Sequence, residues 1–344
     1  MPAMNPVDIL KDMFRTYFGS PAREVNELSA QLGGSARRMV RLADGTSTAI
    51  GVLYDVREEN VAFVEFSRHF HRQGLPVPEI YAADLDRNAY LEEDLGNVTL
   101  FDFLAEHRSG DDLAPEVLDV YRTVVSLLVR LQVEGGRELD YGLCYPRASF
   151  DRQSIAWDLN YFKYCFLRPA GIRINEQALE DDFVRLTEFL LTADRDYFLY
   201  RDFQSRNVML KAGSPYFIDY QGGRKGALQY DIASLLYDAK ANLPPSVRDE
   251  LLNAYLDALA SVLHLDRGQF MEHYYGYAYA RILQALGAYG FLGLMQRKAL
   301  FLESIPYAVR NLRWLLTHAD LPIPIPELSA SFERMMDSEG LASL

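Results

Sequence analysis

The sequence predicts an α+β fold in two unequal lobes: a small one with an antiparallel sheet and one helix, and a larger, mainly helical one. Three observations carry this. Strand-like and turn-like segments crowd residues 25–96, long helical periodicities fill residues 97–344, and an acidic segment ending in glycine, Leu91–Gly96, joins them. At 344 residues the chain is long for one compact core, which favours lobes at 1–96 and 97–344 with a cleft between them.

Asn5-Pro6 followed by Ile9, Leu10, Met13, Phe14 and Tyr17 reads as a capped amphipathic helix ending at Gly19. Residues 25–56 hold three short apolar runs separated by Gly33-Gly34 and Asp44-Gly45. The first pair is a glycine turn and the second predicts a two-residue hairpin. A helix over Asn60–Gln73 carries Phe63, Phe66 and Phe70 on one face, and two more strands follow near Ile80–Ala83 and Ala89–Glu92. Beyond the junction, Val117, Val120, Tyr121, Val124, Leu127, Leu128 and Leu131 recur at helix spacing. Residues 176–194, 246–263 and 269–294 repeat the pattern, a helix closes over Asn311–Leu316, and a proline-rich link leads to a final short one.

A net charge of −13 leaves no basic surface for nucleic acid or an anionic membrane. No apolar run reaches the roughly 18 residues of a membrane helix, and the start lacks the pattern of a signal peptide. Cys144 and Cys165 have no metal-ligand spacing and read as reduced thiols of a cytoplasmic protein. The six histidines form no zinc pattern.

Residues 197–221, YFLYRDFQSRNVMLKAGSPYFIDYQ, carry the chemistry. Asp202 and Asn207 are five positions apart, and Asp219 ends an apolar strand after a hairpin pattern of Val208–Lys211, Ala212–Pro215 and Tyr216–Ile218. Phosphoryl transfer from ATP needs such a set: one carboxylate to orient or deprotonate the attacking hydroxyl, and a carboxylate plus an amide to hold Mg2+. A hard cation takes oxygen ligands. Gly33, Gly34 and Ser35, ahead of a strand, are positioned to turn backbone N–H groups toward phosphates.

YRDFQSRN…FIDYQ resembles the H-x-D-x-x-x-x-N…I-D motif pair of the aminoglycoside phosphotransferase superfamily. Tyr230-Asp231-Ile232-Ala233-Ser234-Leu235-Leu236 resembles its YDLASLL helix, Leu91-Glu92-Glu93-Asp94-Leu95-Gly96 its LLEDLG hinge, and PVPEIYAADL the strand before that hinge. GGSARR, IDYQ and the Arg281-Ile-Leu-Gln-Ala-Leu-Gly segment are similar to the bacterial N-acetylmuramate/N-acetylglucosamine anomeric kinases of cell-wall recycling. The resemblance covers about residues 25–316.

It implies a two-lobed, protein-kinase-like fold and a kinase using ATP and Mg2+ on a small amino sugar. Asp202 would be the catalytic base, Asn207 and Asp219 the metal ligands, and Asp231 a structural tie. Gly33, Gly34, Ser35, Arg37 and the hinge residues Glu92, Asp94 and Leu95 would meet the nucleotide, through backbone groups at the hinge, with its acidic side chains solvated. Two departures stand out. Tyr200 replaces the motif's usual His, and Thr48–Asp55 lacks the lysine that contacts phosphates, so Arg37 or Arg38 becomes the substitute cation and Glu65 its candidate partner. For the sugar, Trp157-Asp158 and the run Tyr274, Tyr275, Tyr277 and Tyr279 offer aromatic faces, with Asp158 and Arg281 as polar readers and a packed core as the competing reading. An aminoglycoside, choline or homoserine kinase, or a non-catalytic nucleotide-binding pseudokinase, remains open.

Overall fold

A computed structural model describes residues 5–28, 37–110 and 112–342. The Asn5 side chain caps α1 (Pro6–Phe18) by accepting the Val7 N–H at 3.2 Å, and Pro6 brings its preset φ to the first turn. Val7, Leu10, Met13 and Phe14 form the buried stripe of α1. It lies on a five-stranded antiparallel sheet ordered β1 (Glu24–Leu28), β2 (Arg38–Ala43), β3 (Thr48–Leu53), β5 (Ala89–Glu93) and β4 (Ile80–Asp84). Gly51 lets the helix sit close, because a Cβ there would lie 2.8 Å from Leu10 Cδ1.

The pleat divides the sheet residues between two cores. Val40, Leu42, Ala49, Ala89 and Leu91 pack beneath α1, whereas Ile50, Val52 and Tyr90 face the other way and join the main core. There they meet α2 (Arg57–Arg72), whose Phe63, Phe66 and Phe70 are buried as the period-3.6 pattern predicts. Phe63 stacks on Tyr220 at 5.0 Å, and Phe66 and Phe70 pack on Phe198 at 6.1 and 5.1 Å. One continuous core therefore runs from the sheet through α2 into the helical lobe.

Two turns exchange roles relative to expectation. The β2–β3 connection is a four-residue loop, with Ala43 opposite Thr48, because the Asp44 carboxylate accepts the N–H groups of Thr46 and Ser47, both at 2.8 Å. The two-residue turn instead joins β9 to β10, where Ala212 and Gly213 take φ of 50° and 81° between paired Lys211 and Ser214.

The chain leaves the sheet after Glu93 and enters the helical lobe at α3 (Leu100–Glu106), followed by a short ladder of β6 (Arg108–Ser109) and β7 (Asp112–Leu113). Then come α4 (Pro115–Arg130), α5 (Arg152–Phe162), α6 (Glu176–Leu190) and the strands β8 (Tyr197–Leu199), β9 (Val208–Lys211), β10 (Ser214–Phe217) and β11 (Arg224–Gly226). The remaining α-helices are α7 (Leu228–Leu236), α8 (Pro245–Ala260), α9 (Arg267–Tyr289), α10 (Ala299–Leu302), α11 (Ile305–His318), α12 (Pro326–Met336) and α13 (Glu339–Ala342). Among the described residues no helix is long and apolar enough to cross a membrane. The tyrosines of α9 are mostly core: Tyr274, Tyr277 and Tyr279 are buried, and the Tyr277 hydroxyl donates to the Leu190 carbonyl at 2.9 Å.

Candidate active site

The segment bearing Asp202 is held from behind. β8 delivers Tyr200 and Arg201 to Asp231 of α7, whose buried carboxylate accepts their backbone N–H groups at 2.8 and 3.0 Å. Gln132 donates to the same carboxylate at 3.0 Å, and the Tyr255 hydroxyl bonds Gln132 Oε1 at 2.6 Å. Burial pushes the Asp231 carboxyl up to about 7, against these three donors. The Tyr200 hydroxyl donates to the Ile218 carbonyl, so tyrosine ties the segment bearing Asp202 to the stretch after β10 that carries Asp219. Arg201 sits at φ 87° and Asp219 at φ 68°, a costly region for non-glycine residues that strong anchoring maintains.

This anchoring brings Asp202, Asn207 and Asp219 together. Asn207 Nδ2 donates to the Asp202 carbonyl at 2.9 Å and to Asp219 Oδ2 at 3.3 Å. Hard oxygen donors for a magnesium ion would come from the Asp219 carboxylate and from Asn207 Oδ1, with the amide turned from its present Nδ2 contact to Asp219. Asp219 Oδ1 accepts from Gln221 Nε2 at 2.7 Å and from Arg37 at 3.0 Å. Enclosure pushes the Asp219 carboxyl up, and the Arg37 guanidinium opposes that rise.

Arg37 reaches the centre from the sheet and also donates to Glu59 of α2 at 2.7 Å. Its neighbour Arg38 points the opposite way and pairs with Glu27 at 2.6 Å. Glu65, the expected partner, bonds Arg68 at the surface. Glu59 was missed, although it stands four and seven residues before Phe63 and Phe66 on the inward face of α2, where helical period alone could have placed it. Gln221 was read only as the last residue of the IDYQ resemblance, and nothing in the sequence marked it as a partner of Asp219.

The other candidates separate. Gly33, Gly34 and Ser35 lie outside the described residues. At the hinge, the acidic side chains are enclosed instead of solvated: Glu92 is 7% exposed, and Asp94 takes a two-pronged bond from Arg41 at 2.7 and 2.9 Å. The β-sheet alternation directs Glu92 inward, and Arg41 from β2 draws Asp94 in. The Leu95 side chain is buried. Asp158 on α5 is committed to Arg201, with both guanidinium prongs at 2.6 Å, so it braces the residue before Asp202. Arg281 donates to Ser234 at 2.8 Å and Gln284 at 2.7 Å, and lines a small recess with Gln204, Ser234, Asp238 and Tyr289. Trp157 remains 46% exposed.

A sheet lobe joined to a helical lobe, with this loop between them, is the architecture of the protein-kinase-like fold. The chain belongs to the phosphotransferase enzyme family, whose profile matches residues 30–265. It is 26% identical over 233 residues to an N-acetylmuramate/N-acetylglucosamine kinase of Pseudomonas aeruginosa, covering 66% of this chain and 64% of that protein. An N-acetylmuramate/N-acetylglucosamine kinase of Caulobacter vibrioides is 25% identical over 288 residues, covering 81% of this chain and 75% of its own length. The match thus spans slightly less than two thirds of the Pseudomonas relative. The fold is similar to choline kinase from Cryptosporidium parvum, with a TM-score of 0.62 at 11% identity, covering 95% of this chain and 99% of that one.

Proposed function

We propose that the protein transfers the γ-phosphate of ATP to the anomeric hydroxyl of an N-acetylated amino sugar, N-acetylmuramate or N-acetylglucosamine, in the cytoplasm. The observation that carries this is the assembled Asp202–Asn207–Asp219 set in a chain whose curated relatives bear that kinase name.

In this reading Asp202 receives the proton of the sugar hydroxyl. The sugar oxygen bonds to the γ-phosphorus as the bond to the β–γ bridging oxygen breaks, and ADP leaves with that electron pair. Magnesium held by Asn207 and Asp219 would neutralise charge on the phosphates. Arg37, braced by Glu59, brings a fixed positive charge from the sheet, where the strand β3 has no lysine. Asp231, Gln132 and Asp158 keep the loop from drifting, which matters because catalysis here is mostly positioning. The acceptor would lie toward the recess lined by Gln204, Ser234, Asp238 and Arg281, next to the segment bearing Asp202, where polar side chains suit a sugar's hydroxyls.

The test is ADP release from magnesium–ATP with N-acetylmuramate, N-acetylglucosamine, glucosamine, other hexoses, choline and kanamycin, followed by phosphorus NMR of any product. An anomeric phosphate on an N-acetylated sugar is the expected result. Turnover of choline or kanamycin alone would discard the acceptor and keep the phosphotransferase.

A further inference from the structure

We propose that Glu92 reads the nucleobase: its carboxyl group, set in the wall of the nucleotide cleft, selects adenine against 6-oxo purines. This rests on the ATP-dependent reading above and adds a specificity residue to it. Glu92 stands where the LLEDLG hinge motif has its second leucine, so this chain puts a polar group where that pattern is apolar.

Placement follows from the sheet. Leu91 packs under α1, and Glu92, on the opposite face of β5, sits across from Ile50 of β3 and shares its side of the sheet with Tyr90. The charges acting on it are those of the cleft: Arg37 favours its ionised form, while Asp219 and Asp94 oppose it. Tyr90 and Tyr220 also face it. Arg41, across Ile50 on β2, gives both its prongs to Asp94. Glu92 Oε2 is therefore buried with no hydrogen-bond donor among the described residues. Leaving a buried polar atom unsatisfied costs about 1–3 kcal/mol, a cost that a ligand supplying the missing partner removes.

The chemistry of that partner follows from the protonation of the carboxyl. Burial pushes it up to about 8, so at neutral pH it carries a proton and offers one O–H donor beside one carbonyl acceptor. Adenine presents the complement on one edge, the N7 acceptor next to the 6-amino donor. Guanine and hypoxanthine present two acceptors, N7 and O6, one of which would oppose the carbonyl. A glutamine amide has the same donor–acceptor order and is the side chain that reads this edge of adenine in DNA. Three residues along, the Leu95 N–H has no acceptor among the described residues and is free to meet the base from the hinge.

The experiment is calorimetric titration of wild type, Glu92→Gln and Glu92→Leu with the magnesium complexes of ATP, 7-deaza-ATP and ITP. Leucine is the motif's own residue here, and circular dichroism checks that both variants fold. Wild type should bind ATP roughly tenfold or more tightly than either analogue, the discrimination of a two-pronged base contact. Glu92→Gln should keep both preferences, and Glu92→Leu should lose both while weakening ATP by about the same factor. Equal binding of the three nucleotides by wild type, or discrimination that survives in Glu92→Leu, would overturn the inference and leave the kinase reading standing. Failure of wild type to bind any of the three would overturn both.

Discussion

Removing the Asp158 carboxylate should damage the enzyme without touching a substrate contact. In Asp158→Ala the Arg201 guanidinium stays between the rings of Phe150 and Tyr230, at 5.3 and 5.6 Å from their centroids. It then keeps the Tyr230 hydroxyl, at 3.0 Å, as a polar partner. The side chains of Arg201 and Asp158 are 15% and 9% exposed, so the pair is largely removed from water. Breaking one side of such a pair costs about 3–5 kcal/mol. At about 2 °C per kcal/mol for a chain of this size, the melting temperature should fall by roughly 6–10 °C. Arg201 also holds a left-handed backbone directly before Asp202, so a looser anchor should lower kcat roughly 10- to 100-fold. The acceptor KM should change far less. Asp158→Asn, which keeps an oxygen for one prong, should recover most of the melting temperature. Calorimetry and steady-state kinetics decide the matter. A normal melting temperature combined with a large rise in acceptor KM alone would refute the bracing role and make Asp158 a reader of the sugar.

Three further outcomes are expected. Asp202→Ala should lower turnover by about 10²-fold or more while leaving magnesium–ATP affinity nearly unchanged, and near-normal turnover would remove Asp202 from the reaction. Arg37→Ala and Glu59→Ala should each reduce kcat/KM for ATP, and the double variant should be little worse than Arg37→Ala alone, since the two act as one unit; additive losses would separate their roles. The Glu92 carboxyl, raised from 4.5 to about 8, should make stability fall as pH rises from 4.5 to 8, because the unfolded chain releases that proton first, and the total is at most about 5 kcal/mol. Glu92→Gln lacks this term, so its melting temperature should exceed that of wild type by a margin that widens up to about pH 8 and then levels; a constant margin would contradict the burial argument.

The sequence made legible what periodicity and local chemistry dictate. Phe63, Phe66 and Phe70 marked α2 because three rings at that spacing share a face, and the capped start at Asn5-Pro6 marked α1. Asp202, Asn207 and Asp219 were readable as a group because their spacing around one short hairpin brings them together. What escaped depended on distant partners. Asp44-Gly45 looked like a tight turn, but the Asp44 side chain organised a longer loop. Glu92 and Asp94 looked like solvated acids, and only strand alternation and Arg41 reveal otherwise. Asp158 looked like a sugar reader until its pairing with Arg201, 43 positions away, was visible. The tyrosines of α9 offered aromatic faces in the sequence and proved to be packing.

The fastening of α2 has a consequence for control. Beyond its three phenylalanines, Ser67 Oγ shares a hydrogen bond with the Tyr220 hydroxyl at 2.6 Å, and His69 Nε2 meets the Gly135 carbonyl at 2.9 Å. Rotating the helix outward, to withdraw Glu59 and idle the enzyme, would strip three aromatic side chains of their partners. At about 1.5–3 kcal/mol each, that approaches the whole folding stability of an ordinary domain. This helix therefore has one seat and cannot serve as an on–off lever. Glu59, and through it Arg37, is thereby held to a single posture for as long as the chain stays folded.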